Sequence, residues 1–153
     1  MDAYYERLSP KARDVHDLAR DEARRYARPQ IGAEHLLLGI VDKENSTGAR
    51  LLRQFGIEPG QVRSAVEMLT QHHRVVETEI PELSARALAV LSLAYEEAQL
   101  HQQHKIGSGH ILLGLIRENQ GIPAGVLASL GVGVHNVEQV RDLLVEVDQP
   151  PLV

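Results

Sequence analysis

Histidine is the residue type in this chain best suited to bind a metal ion, and eight histidines are present. Two groups stand out by their spacing: His101, His104 and His110, and the adjacent pair His72 and His73. A zinc site needs three or four convergent ligands with supporting partners, and the sequence contains neither a His-Glu-x-x-His run nor a cysteine. We therefore expect exposed histidines at a helix end and no metal site.

Motifs for nucleophilic or phosphoryl-transfer catalysis are absent from the sequence. It has no cysteine, no serine within Gly-x-Ser-x-Gly, and no glycine-rich loop followed by Lys-Ser or Lys-Thr. Residues 107–110, Gly-Ser-Gly-His, are similar to a phosphate-binding loop but lack its lysine. These patterns predict a non-enzymatic protein that needs no cofactor.

Glu34 is the strongest single candidate for binding a ligand. It lies in the predicted first turn of an apolar helix, where the helix dipole favours a carboxylate, so capping is one interpretation. The other is that the carboxylate receives a guanidinium group in bidentate fashion. The neighbouring His35 has a counterpart in His110. For both histidines we favour a structural role, in which the ring satisfies a neighbouring carbonyl or caps the preceding loop, over contact with a ligand.

Composition indicates which elements must position these residues. The chain has 153 residues, 43% hydrophobic and only 3% aromatic. A core built from Leu, Val, Ile and Ala, with abundant Glu and Arg, favours helices over sheets. The net charge of −5 argues against a nucleic-acid partner. Because no apolar run approaches the roughly 20 residues of a membrane span and no signal-like start is present, we expect no membrane partner and a cytoplasmic location.

The sequence contains an internal repeat at an offset of 75 residues. Ile-Gly-Ala-Glu-His-Leu-Leu-Leu-Gly at 31–39 recurs as Ile-Gly-Ser-Gly-His-Ile-Leu-Leu-Gly at 106–114, and residues 8–69 share 19 identities with 83–144 without a gap. The last of these identities pair Val62 with Val137 and Leu69 with Leu144. About four identities would be expected by chance, so we interpret the pattern as a duplication.

Each copy is predicted to form four helices. Ser9 caps the first, the second runs from about Ala33 to Val41, and Gly56 ends the third in a left-handed conformation. The helices of the second copy are predicted to start near residues 84, 108, 122 and 134. The prediction is an all-α fold of eight helices, packed as one pseudo-twofold unit, with repeat 1 at about 8–70, a connector at 71–82, repeat 2 at about 83–146 and a tail at 147–153.

The motif at 31–39 resembles the repeat of Clp unfoldase N-terminal domains, whose usual form is Ile-Gly-Thr-Glu-His-Ile-Leu-Leu-Gly-Leu. The similarity covers about residues 4–146 and is greatest to the ClpC branch. It implies a domain that docks protein clients and adaptors for an ATP-driven unfoldase. In the ClpC branch it also implies recognition of phosphorylated arginine. The glutamate holds the guanidinium and the start of the first helix holds the phosphate, and these roles match Glu34, Ser9 and Ser84 here.

The chain departs from the family pattern at positions that bear on this site. Ala33 replaces the usual threonine, and Ser108-Gly109 replaces the second Thr-Glu pair. At most one of two phosphoarginine pockets is therefore expected. The resemblance also implies an alternative function, the sequestering of cyclic peptides that act on Clp unfoldases, at the positions of Tyr5 and Leu83.

No ATPase motif occurs in these 153 residues. The chain is thus either a natural stand-alone protein or an excised domain. Residues 150–153, Pro-Pro-Leu-Val, favour the former, because they resemble neither a linker nor the start of an ATPase module.

Overall fold

The computed structural model describes residues 4–26, 28–70 and 81–148. Most of the predicted connector and tail lies outside these ranges. The elements of the first half are a 3₁₀ turn at Tyr5–Arg7, α1 at Pro10–Arg25, β1 at Gln30–Ile31, α2 at Ala33–Asp42, α3 at Thr47–Gln54 and α4 at Pro59–Leu69. Those of the second half are β2 at Glu82–Leu83, α5 at Ala85–Leu100, α6 at Ser108–Glu118, α7 at Gly121–Ser129, a 3₁₀ turn at Val134–Asn136 and α8 at Val137–Asp148.

The all-α prediction is confirmed, and local sequence signals account for the helix ends. Ser9 and Ser84 accept hydrogen bonds from the backbone N–H of Ala12 and Ala87, at 3.2 and 3.1 Å, and so cap α1 and α5. Gly56, just past α3, has a φ of +74°, the left-handed conformation that glycine adopts at low cost.

Two short parallel pairings, which the sequence did not predict, join the two repeats. Ile31 of β1 pairs with Leu83 of β2, and Leu8 forms an isolated bridge with Ile106. In each pairing, the residue two positions before the first helix of one repeat meets the residue two positions before the second helix of the other. The two pairings are therefore related by the pseudo-twofold axis of the duplication.

Close helix crossings hold each repeat together. A Cβ on Gly39 of α2 would overlap the carbonyl oxygen of Val15 on α1, and a Cβ on Gly114 of α6 would overlap that of Val90 on α5. Only glycine lets these backbones approach so closely, which explains why the motif keeps glycine at both positions.

A buried glutamate and an arginine tie the last helix of each repeat to its first. Arg63 on α4 donates to Glu22 at 2.7 and 3.1 Å, and Arg141 on α8 donates twice to Glu97 at 2.8 Å. The two glutamates are 75 residues apart, whereas the two arginines are 78 apart.

The fourth helices therefore depart from the constant offset. Val140 and Leu144 are buried in α8, as Val62 and Val66 are in α4, and these pairs also differ by 78. The extra 3₁₀ turn at 134–136 precedes α8 and accounts for the three added residues. The sequence identities of Val62 with Val137 and of Leu69 with Leu144 consequently do not mark equivalent positions in the fold.

Candidate ligand-binding cavity

A cavity of about 670 Å³ lies where the start of α2 meets the start of α5. The pairing of β1 with β2 creates it, because both strands lead directly into these helices. It is lined by residues of both repeats: Arg28, Pro29, Gln30, Gly32, Ala33, Glu34, His35, Ser84, Ala85 and Arg86. It is open to the surface, and both polar and apolar atoms line it.

Glu34 supplies the carboxylate of this cavity. Its side chain is 22% exposed and folds back over Gly32, so that a Cβ on Gly32 would lie 2.7 Å from the Glu34 Cδ. The backbone of Gly32 has a φ of −86°, an ordinary value. The backbone conformation at position 32 therefore does not require glycine, but a side chain there would displace the flexible Glu34 carboxylate.

His35 fixes the helix start beneath Glu34. Its Nδ1 accepts a 2.8 Å hydrogen bond from the Gly32 N–H, and His110 makes the same bond to Gly107. Burial lowers the pKa of the His35 imidazole, and the Arg28 charge lowers it further against the opposing charges of Glu34 and Glu22. The ring is therefore neutral at pH 7 with its proton on Nε2. Glu34 Oε1, 3.7 Å from Nδ1, then faces a hydrogen-bond acceptor and no ion pair forms.

Ser84 contributes the start of α5. Its backbone N–H donates to the Ile31 carbonyl oxygen at 2.9 Å, and its Oγ accepts from Ala87. A serine hydroxyl that accepts in this way still has a proton to donate. The first N–H groups of a helix lack intrahelical acceptors and carry the positive end of its dipole, so this end of the cavity suits an anion.

Two arginines that sequence reasoning missed also line the cavity, Arg28 and Arg86. Arg86 lies two residues beyond Ser84, but nothing in its local sequence indicates that it lines the same cavity as the glutamate of the other repeat. The pairing of β1 with β2, which places it there, is a contact between residues about 50 positions apart.

Ser9 is not among the residues that line this cavity. It caps α1, and its backbone N–H donates to the Ile106 carbonyl oxygen at 2.8 Å, beside the start of α6. The structure thus places Ser84 at the same cavity as Glu34. It places Ser9 at the pseudo-symmetric second junction, where the start of α1 meets the start of α6.

That second junction is filled at the position equivalent to Glu34. A Cβ on Gly109 would lie 2.6 Å from Leu144 Cδ1, 3.1 Å from Thr47 Cγ2 and 3.3 Å from Leu51 Cδ1. Leu144 corresponds in the fold to the smaller Val66 of repeat 1. The larger side chain in repeat 2 occupies the space that the missing side chain leaves.

Tyr5 and Leu83 lie outside the lining of the cavity, and both are half-buried against the core. The Tyr5 hydroxyl donates to Asp17 at 3.3 Å, and its ring packs edge-on against His16 with centroids 5.0 Å apart. Burial, followed by the charge and hydrogen bond of Asp17, raises the pKa of the Tyr5 phenol.

Metal-binding clusters of three or more His, Cys, Asp or Glu side chains are absent from the described part of the chain. The rings of His101 and His110 are tilted by 41° to each other with centroids 5.7 Å apart, and His101 Nδ1 lies 2.8 Å from the Glu97 carbonyl oxygen. Within residues 4–26, 28–70 and 81–148, no helix is long and apolar enough to cross a bilayer. The cytoplasmic location stays a prediction.

Comparison with known proteins gives a consistent result. The sequence matches the family described as the Clp repeat (R) N-terminal domain over residues 7–107 and 82–149. It is 40% identical over 136 residues to the chloroplastic chaperone protein ClpC1 of Oryza sativa subsp. japonica. The aligned segment covers 88% of this chain and 15% of that protein. The chain thus spans about 15% of the length of this curated relative.

Solved structures share the fold. The N-domain of ClpV from Vibrio cholerae has a TM-score of 0.78 at 19% sequence identity, over 94% of this chain and 86% of that chain. The complex of a ClpV N-domain with a VipB peptide has a TM-score of 0.74 at 19% identity, over 94% and 90% of the two chains. The family match and the 40% identical relative show that this chain belongs to the Clp repeat N-terminal domain family.

Proposed function

We propose that the chain is a non-enzymatic protein-binding module that docks clients or adaptors of a Clp unfoldase–protease, and that its Glu34 cavity binds phosphorylated arginine on them. One observation carries the proposal: the Glu34 carboxylate and the N-terminus of α5, with Ser84, line the same cavity.

Phosphoarginine has the two features that this cavity complements. Its guanidinium N–H groups can donate in bidentate fashion to a carboxylate, which Glu34 offers. Its phosphate can accept from the Ser84 hydroxyl and from the first N–H groups of α5. Unmodified arginine would use only the first set of contacts. Inorganic phosphate would use only the second and would face the repulsion of Glu34.

A peptide or protein partner fits the fold as well as the cavity. The ClpV N-domain, which shares this fold, has been solved in a complex with a VipB peptide. The cavity is open at the surface, between two helix starts, where an arginine side chain of a docked segment could enter. We therefore place the tag in the cavity and the rest of the segment on the surrounding surface.

One phosphoarginine per chain is the stoichiometry that the repeats support. Repeat 2 has Gly109 in place of the glutamate, and Leu144 takes up the space at that position. A second pocket of the same design would need both a carboxylate and room for it.

Calorimetric titration of free phosphoarginine tests the proposal. The wild type should bind about one equivalent, and Glu34→Gln should weaken binding by about tenfold or more, because a charge-assisted pair is lost while the side-chain volume is kept. Glu44→Gln is the matched control, since this exposed glutamate lies beyond the opposite end of α2. Absence of binding to the wild type, or equal binding by Glu34→Gln, would refute the proposal.

Cyclic-peptide capture at Tyr5 and Leu83 remains the alternative. It rests on two half-buried side chains at the starts of the two repeats. A thermal-shift screen separates the two functions. Stabilisation by cyclic peptides that Tyr5→Ala abolishes, without any stabilisation by phosphoarginine, would favour the alternative.

A further inference from the structure

Arg86 contacts both the cavity and a loop beyond it. Its side chain lines the Glu34 cavity and is 46% exposed. On its other side, Nε lies 3.8 Å from Glu118 Oε2, and Nη2 donates to Gln120 Oε1 at 3.4 Å. Glu118 and Gln120 belong to the junction of α6 and α7, so a cation that lines the Glu34 cavity is held by another part of its own repeat.

Both contacts are long, whereas Glu118 itself is only 12% exposed. An ion pair at this distance with a half-exposed arginine is a weak restraint. A guanidinium that meets a phosphate can form two parallel charge-assisted hydrogen bonds, which are shorter and stronger. A phosphate in the cavity would therefore compete with Glu118 for Arg86.

The loop is shaped to receive the arginine. Gly121 has a φ of +69°, and the Arg86 Nη1 occupies the place that a Cβ on Gly121 would take. A side chain at position 121 would push the guanidinium away from the loop. Asparagine tolerates the left-handed conformation better than most residues, so Gly121→Asn can displace Arg86 with the least backbone strain.

We propose, on the basis of the function proposed above, that Arg86 selects the phosphorylated form of arginine. In its reserve role, Glu118 pairs with Arg86 while the cavity is empty and releases it when a phosphate binds. In the free protein the guanidinium is paired with the α6–α7 loop. On binding, it moves to the phosphate at the N-terminus of α5. The affinity of the cavity is thus set in part by the Glu118 carboxylate, which does not itself line it.

The test is calorimetry with phosphoarginine and with arginine amide on four proteins: wild type, Arg86→Ala, Glu118→Gln and the double variant. Arg86→Ala should weaken phosphoarginine binding by about tenfold or more and should not weaken arginine amide binding. Glu118→Gln should strengthen phosphoarginine binding by about two- to fivefold, and this gain should vanish in the double variant. Gly121→Asn should strengthen binding in the same direction.

Each contrary result is decisive. Equal phosphoarginine affinity in Arg86→Ala and wild type would refute the selecting role while leaving the function of the cavity intact. A Glu118→Gln gain that persists without Arg86 would refute the reserve role, because it would show a general charge effect, for which Glu44→Gln is the control. If wild type binds no phosphoarginine, the proposed function itself fails, and this inference with it.

Discussion

The backbone N–H of Ser84 donates a 2.9 Å hydrogen bond to the carbonyl oxygen of Ile31. This bond continues the pairing of β1 with β2 and places the first turn of α5 against the first turn of α2. The glutamate of one repeat therefore shares a cavity with the first-helix cap of the other. The resemblance had assigned Ser9 and Ser84 alike to phosphate binding, and their surroundings now differ.

Replacing the two cap serines should separate stability from binding. Ser9→Ala and Ser84→Ala each remove a helix N-cap, which typically costs about 1 kcal/mol of unfolding free energy. Because only Ser84 lines the Glu34 cavity, phosphoarginine affinity should fall in Ser84→Ala and stay unchanged in Ser9→Ala. Urea unfolding and calorimetry on both variants provide the two readouts. Equal losses of affinity would show that the serines act through helix stability alone.

Much of the fold could be predicted from residue patterns. The glycine-terminated helices, the serine caps and the apolar α2 and α6 follow from local rules, and each repeat shows them independently. Ser9, preceding Pro10, is a helix start on these grounds alone, and the structure gives it the expected hydrogen bond to Ala12.

The contacts between repeats could not be predicted in this way. Two-residue strands such as β1 and β2 have no periodicity to detect, so the position of Arg86 in the same cavity as Glu34 could not be predicted. The register of α8 was hidden for another reason. Val137 and Leu144 match Val62 and Leu69 by type, while the ion pair of Arg141 with Glu97 shows that the helix is shifted by three residues.

We expect close packing to disfavour any side chain at position 109. Gly109→Ala gains about 1 kcal/mol of helix propensity, but its Cβ would press on Leu144, and overpacking typically costs 1–3 kcal/mol. We expect a net loss of stability. Leu144→Val should reduce that loss, because valine is what repeat 1 has at the equivalent position 66. A double-mutant cycle by urea unfolding measures the coupling, and strictly additive effects would contradict this account.

Gly39, at the crossing of α1 and α2, should tolerate an added side chain even less than Gly109 does. In Gly39→Ala the new methyl group meets the backbone oxygen of Val15, which cannot rotate away, so α1 and α2 must separate. We expect a loss of roughly 2–3 kcal/mol. Gly60→Ala is the matched control, since it is also helical but has no atom within 4 Å of its Cβ position. It should raise stability by about 0.5–1 kcal/mol. Thermal unfolding of the two variants in opposite directions would support the prediction.

Asp42 makes a contribution to the free energy of unfolding that depends on pH. Arg63 Nη2 lies 2.6 Å from Asp42 Oδ1 and 2.7 Å from Glu22 Oε1, so two carboxylates share one nitrogen. Burial, and then the hydrogen bond and charge of Glu22, raise the pKa of Asp42 to about 6 against the opposing effect of Arg63. The position equivalent to Asp42 in repeat 2 is Arg117, which pairs with Glu97 at 2.9 Å and forms no such acid pair there.

The sign of the effect follows from proton binding. Between the ordinary aspartate pKa of 3.8 and about 6, the folded state holds more protons than the unfolded state, so the free energy of unfolding contributed by Asp42 falls as pH rises. Asp42→Asn stays uncharged throughout. We therefore compare the free energies of unfolding of wild type and Asp42→Asn, measured with urea at several pH values. The value for wild type minus that for Asp42→Asn should decrease by roughly 1–2 kcal/mol from pH 4 to pH 7. Solvent screening of the quarter of the side chain that is exposed keeps this change below that of a fully buried group. Taking this difference cancels the carboxylates that do not interact with Asp42, and Asp142→Asn, at an exposed site on α8, controls for net charge. A difference that is flat or increases with pH would mean that Arg63 stabilises both carboxylates as anions.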